Sequence, residues 1–289
     1  MRISVVLLAM ASLLACSPEQ SGVAKAEAAE GAVVPAALTF EGAAAPGRAA
    51  MLAHGERLSH IVGCTGCHTA TLEGKLFNED APELGKLYAS NLTRVMPTMS
   101  DAQLEALLRT GKHPTRGDMW IMPSEIFQRL SDADMKALIA HLRTVKPSGE
   151  ATPPPALSEL AQKLVADGKL KPTSGYIAEY RDKLPPDLGA DHAFGRYLAG
   201  ATCAECHGAD LTGNPEFGPG IVVPDLDIVG TYSDAEMTTL LTKGVGKTRK
   251  DLGLMTIVGE KHFAYLTPRE RSALIAYLRA RAERKVAAR

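Results

Sequence analysis

Aromatic side chains are scarce in this 289-residue chain, at 5% of the sequence with a single tryptophan. Side chains alone then fill a core poorly, and a buried prosthetic group would supply the missing volume. Neither charge is in excess: 32 Lys and Arg face 33 Asp and Glu. That balance excludes the basic field of a nucleic-acid binder and leaves partner recognition to local patches. The apolar run Ile3 to Ala15 is too short to span a bilayer. Cysteine is held to five residues, so the position of each one carries information. The length exceeds one ordinary domain and fits two of about 100 to 150 residues with a tether and a linker.

Arg2 followed by that apolar run, closing on Leu13-Leu14-Ala15-Cys16, reads as a targeting segment over residues 1–16. The small residue before Cys16 resembles the lipobox of bacterial lipoproteins, in which the cysteine becomes the lipidated N-terminus. Leu14 is a looser fit, and a plain signal peptide cleaved near Ala15 or later is the alternative. Either reading exports the chain, to the periplasmic side of a bacterial membrane, where lipid on Cys16 would anchor it.

The remaining cysteines form two C-x-x-C pairs, each followed at once by histidine: Cys64-Thr65-Gly66-Cys67-His68 and Cys203-Ala204-Glu205-Cys206-His207. C-x-x-C-H is the signature of covalent haem attachment. Its two thiols reach the vinyl groups on one porphyrin edge while the next residue turns its imidazole onto the iron. From the chain's own content of five Cys and eight His, chance supplies about 0.002 such matches. Two C-x-x-C disulfides would be strained, and zinc held by four Cys and two His would exceed four-coordination. The expected cofactors are two covalently attached c-type haems, with His68 and His207 as iron ligands.

The two halves repeat beyond the motif. Ser100-Asp101-Ala102-Gln103-Leu104 to Gly111 parallels Ser233-Asp234-Ala235-Glu236-Met237 to Gly244, each a Ser-capped amphipathic helix ended by Gly. Leu130-Ser131-Asp132 through Arg143 parallels Leu266-Thr267-Pro268 through Arg279, the closing helix of each half. Met122 lies 11 residues after Gly111 and Met255 lies 11 after Gly244. A soft thioether opposite histidine favours reduced iron and raises the potential, which makes Met122 and Met255 the expected sixth ligands. Met119 and Met237 lack this symmetry and read as packing, and Met96 and Met99, with no matching sulfur in the second half, are not candidate ligands.

Both halves resemble class I cytochrome c domains, as paired in the cytochrome subunits of membrane-associated alcohol and sugar dehydrogenases. The resemblance rests on Asn91-Leu92-Thr93, the run to Gly111 and Met122-Pro123 in the first half. In the second it rests on Gly195-Arg196-Tyr197-Leu198 and Leu254-Met255. It implies an all-α fold of two tandem domains, at 47–146 and 188–283, with a tail at 284–289. It also implies a glycine of the first helix packed against the last helix, Gly195 with Tyr277 and Gly55 with His141. A backbone carbonyl should accept the proximal histidine's N–H, from Pro224 in the second half and Ser90 in the first. Residues 17–46, rich in Ala, Gly and Glu, suit a flexible tether without a fold. The Pro-rich linker 147–187 suits a stiff crossing with one short helix whose Leu157, Leu160, Leu164 and Val165 face a haem domain. The basic stretch from Arg279 to Arg289 reads as a solvated helix end.

Electron transfer is the function this implies, from a dehydrogenase or quinol to another cytochrome or an oxidase, with no substrate bond made or broken. A dihaem peroxidase, the opposing enzyme reading, needs one iron with an open sixth position, as does a ligand-binding sensor. Two symmetry-related methionines argue against both.

Overall fold

The computed structural model describes residues 38–79, 81–218 and 221–287; the targeting segment and Cys16 lie outside them. The first half holds α1 (Arg48–Ile61), the one-turn α2 (Cys64–Cys67), α3 (Leu92–Val95), α4 (Asp101–Thr110), α5 (Ser124–Phe127) and α6 (Asp132–Leu142). The linker contributes α7 (Glu159–Ala166) and α8 (Thr173–Tyr180). The second half holds α9 (Ala193–Thr202), α10 (Ala204–His207), α11 (Asp234–Lys243), α12 (Leu254–Lys261) and α13 (Pro268–Ala287). Among the described residues, sheet is confined to two-stranded antiparallel pairs, and no helix is long and apolar enough to cross a membrane.

Local chemistry sets the helix ends. Ser100 and Ser233 each close a capping box, with Gln103 and Glu236 reaching back to the cap's N–H, so orphan donors of the first turn are satisfied. Gly111 and Gly244 end the same helices at φ 66° and 64°, a left-handed conformation that glycine adopts without cost. The first and last helices of each half cross at a glycine. A methyl on Gly55 would lie 1.9 Å from the Ala137 carbonyl oxygen, and one on Gly195 would lie 2.2 Å from that of Ala273. His141 and Tyr277 flank these crossings.

Three segments differ from their sequence reading. The end of the tether is folded: Phe40 is fully buried and its N–H donates to Asp134 at 3.0 Å, because an aromatic ring so close to a core gains more by burial than a flexible chain gains in entropy. The linker forms two helices rather than one. In α7 it is Ala161 that is buried while Leu160 is 46% exposed, since a small residue fits the close contact with the turn at 82–84. The basic stretch is not all solvated: Arg281 is 5% exposed and pairs with Asp225 and Asp227.

The halves pack reciprocally. Helix α5, just after Met122, lies on α9 and α10 of the second half, and the turn Phe263–Tyr265, just after α12, lies on α1 of the first. Two buried carboxylates join them. Asp134 accepts from Tyr197 at 2.7 Å and from His54 at 2.7 Å, and Glu270 accepts both terminal nitrogens of Arg57, at 2.7 and 3.0 Å.

Two outcomes are expected. Gly55→Ala must push α1 off α6, and overpacking of this kind costs roughly 1–3 kcal/mol, read as a lower midpoint in denaturant with both haems attached. Burial alone would raise the Asp134 carboxyl, but hydrogen bonds from His54, Tyr197, the Phe40 N–H and Ser131 outweigh it and hold it below its ordinary value. Its contribution is therefore complete above the unfolded value of about 3.9 and is lost as pH falls through the lower folded value. Acid titration of stability should show that loss below about pH 4 in the parent protein and its absence in Asp134→Asn.

Candidate functional site

Each C-x-x-C-H motif is wound as one helical turn. The His68 N–H donates to the Cys64 carbonyl at 2.9 Å, and the His207 N–H to that of Cys203 at 3.0 Å. This turn sets two sulfurs and an imidazole on neighbouring positions of one short helix. Neither motif closes a disulfide between its cysteines. Burial pushes the Cys64 thiol up to about 12 and the Cys203 thiol up to about 11.

The imidazoles are prepared as neutral ligands. Burial lowers both His68 and His207 against the opposing pull of a carbonyl acceptor. His68 Nδ1 lies 2.7 Å from the Ser90 carbonyl oxygen, and His207 Nδ1 lies 2.8 Å from that of Pro224. With Nδ1–H committed to a carbonyl, Nε2 carries the lone pair, the arrangement of a metal-binding histidine. The donor set of each half therefore fits a covalently bound haem.

A shared loop brings those carbonyls into place. Six residues after each histidine, Gly74 and Gly213 donate their N–H to the His68 and His207 carbonyls, at 2.8 and 2.9 Å. Both have positive φ, 74° and 95°. A methyl on Gly74 would meet the Ser90 carbonyl carbon at 2.7 Å, and one on Gly213 would meet that of Pro224 at 2.9 Å. Two residues earlier in each loop, the buried Leu72 and Leu211 sit at φ 60° and 67°, a strained state for leucine that packing must maintain. These glycines were missed from sequence; the signal was Leu-x-Gly at one spacing from each histidine.

The two carbonyl segments are secured differently. Asn91 and Thr93, both 1% exposed, donate to the Ser148 carbonyl, and the Asn91 amide also reaches that of Glu150. In the second half Arg281 pairs with Asp225, the residue after Pro224. Met122 and Met255 are both half-buried against the core, as is Met119. The segment around Met122 is held by the linker: the Thr173 N–H donates to the Met119 carbonyl at 2.9 Å and its hydroxyl to that of Met122 at 3.1 Å. In the second half Thr256, next to Met255, donates its hydroxyl to the Gly244 carbonyl at 2.8 Å. Met96, Met99 and Met237 are buried, in keeping with packing.

Each motif is also touched from beyond its own half. His262, from the turn after α12, sits against Gly66, with its Cε1 3.0 Å from where a methyl there would lie, and its Nδ1 donates to the His60 carbonyl at 2.7 Å. Tyr180 of the linker donates to the Ala204 carbonyl at 3.2 Å. Desolvation first, and the Glu205 carboxylate of the other motif second, push the Cys67 thiol up. Burial also raises Glu205 to about 7 and Glu125 to about 8, the latter with added repulsion from Glu205.

Residues 52–146 and 193–282 each match the cytochrome c family. The fructose dehydrogenase cytochrome subunit of Gluconobacter japonicus is 26% identical over 263 residues, covering 79% of this chain and 52% of that protein. The chain thus spans about half the length of this curated relative. Since each matched region carries one complete motif with its carbonyl-held histidine, the chain belongs to the cytochrome c family, with two covalently bound c-type haems and electron transfer as its chemistry.

Proposed function

We propose that this chain is an exported dihaem electron carrier, set on the periplasmic side of a bacterial membrane by lipid on Cys16, and that it serves a dehydrogenase. The dehydrogenase assignment draws on the relative's name; a quinol is a second source of electrons, and another cytochrome or an oxidase receives them. The chain makes and breaks no substrate bond. The observation that carries the reading is the carbonyl-held imidazole repeated in both halves, 2.7 and 2.8 Å long.

When bound, each haem supplies one-electron iron chemistry. Cys64 and Cys67, and likewise Cys203 and Cys206, form the thioether links, which hold each porphyrin without any charge on sulfur. His68 and His207 offer Nε2 to iron, and their Nδ1–H bonds fix ring orientation and increase donor strength. Met122 and Met255 would each offer iron a thioether, a ligand that favours the ferrous state. With both sulfurs bound, neither iron would offer the open position a peroxidase needs.

The purified mature protein should carry a mass increment of two haems and a low-spin spectrum with a methionine-to-ferric-iron band; an apo mass, or high-spin iron reacting rapidly with peroxide, would overturn the reading. Met122→Ala should leave the first haem attached, lower its potential and open its iron to exogenous ligands, while the second haem keeps its spectrum. Met255→Ala should do the reverse. Gly74→Ala should push Ser90 from His68 and destabilise the first half by roughly 1–3 kcal/mol. It should also raise that haem's potential, because an imidazole without its carbonyl partner donates less to ferric iron. Redox titration of each variant checks both shifts.

A further inference from the structure

Asp134 and Glu270 occupy the same place in the two halves. Each is the third residue after the cap of its closing helix, Ser131 or Thr267, and each has no exposed surface. A carboxylate there normally caps the helix from the solvent side. Here each is buried and takes a donor from the opposite half, and the donors also correspond: Arg57 lies two residues after the crossing Gly55, and Tyr197 two after the crossing Gly195. Arg57 binds Glu270 through both terminal nitrogens, and Tyr197 binds Asp134 at 2.7 Å. The contact is therefore isologous, as in a two-fold dimer fused into one chain.

The two ends are also wired together. The same Arg57 nitrogen that reaches Glu270 lies 3.5 Å from His54 Nδ1, and His54 Nε2 lies 2.7 Å from Asp134. Between the carboxylates runs the strand of chain before α1, whose Phe40 and Glu41 N–H groups donate to Asp134 and Glu270 at 3.0 and 2.8 Å. Phe40 meets the Tyr197 ring edge-on, with centroids 5.6 Å apart.

Buried ion pairs add little net stability compared with apolar packing, because desolvation offsets their attraction. Their best-attested use is to admit one arrangement and exclude others. The arrangement admitted here sets Gly66 of the first haem-bearing motif against His262 of the second half. Electron tunnelling falls exponentially with the gap, and an ångström of slack at such a contact is costly. We propose that Asp134 and Glu270, with their reciprocal partners Tyr197 and Arg57, are positioning residues that hold the two haem sites in register for electron exchange within the chain. The proposal rests on both motifs carrying haem.

The test uses the full haem-loaded protein, with the parent's two-haem mass and spectrum established first; failure there would strike the dihaem reading and not this one. In Arg57→Met and Tyr197→Phe, haem content and each haem's own spectrum and potential should stay at parent values. Exchange between haems after flash reduction should slow severalfold, because tunnelling falls exponentially with the gap, and spin–spin coupling between the ferric irons should weaken. Arg57→Met leaves Glu270 without its charge partner and lowers stability, so the double variant Arg57→Met with Glu270→Gln removes both charges while keeping the helix cap. A double variant with restored thermal midpoint and slow exchange supports positioning. Restored midpoint with parent exchange and coupling overturns it, as does parent exchange in both single variants.

Discussion

The hydrogen bond from a histidine Nδ1 to a backbone carbonyl, 2.7 Å in one half and 2.8 Å in the other, places demands that reach far along the chain. It needs a carbonyl brought in from 22 residues away in the first half and 17 in the second. That approach is possible only because Gly74 and Gly213 have no side chain to stand in the way. The loop that carries each glycine turns through a leucine in the left-handed region, a conformation kept by burial and not by local preference. The segment bearing the carbonyl must in turn be fastened from outside, by the 148–150 backbone in one half and by Arg281 in the other. One bond to a ring nitrogen thus explains two glycines, two strained leucines and two unrelated anchors.

Between the halves the balance of forces is different. The contact is built on charged and polar groups with little exposure, Asp134, Glu270, Arg57 and His54. Burying a charge is tolerated only when its hydrogen-bonding capacity is met. Asp134 meets this requirement with four donors drawn from α1, α9, its own cap and the Phe40 N–H. A contact satisfied from so many elements cannot slide without orphaning several groups at once, so it resists shear more than it adds to global stability.

Much of this was legible in the sequence. The motifs, both Ser-capped helices with their terminating glycines and the closing helices are local patterns, and the repeat let each half check the other; the glycine crossings came with the family resemblance. Ser90 was readable only by alignment with Pro224, since serine carries no signal for a carbonyl acceptor. The buried roles of Phe40 and Arg281 were not legible. Each depends on a partner from 54 to 94 residues away, and their neighbours look like those of any tether or helix tail. Helix α8 was hidden for a related reason: Thr173, Ser174 and Gly175 at its start are weak helix formers, and tertiary contacts with the Met119 to Met122 segment supply what propensity withholds.

Helix α8 also bears on how such a chain divides. Its first residue binds the carbonyls of Met119 and Met122, and its last, Tyr180, binds the backbone of the second motif. A boundary drawn at residue 146, where the family match ends, would strip the first half of the strut that shapes one face of its pocket. The second half keeps the corresponding support, Thr256, within its own helix α12. The halves are therefore unequal heirs of a duplication: the downstream copy is self-sufficient in this respect, while the upstream copy is completed by sequence it shares with its twin, and exchanging their order would break it.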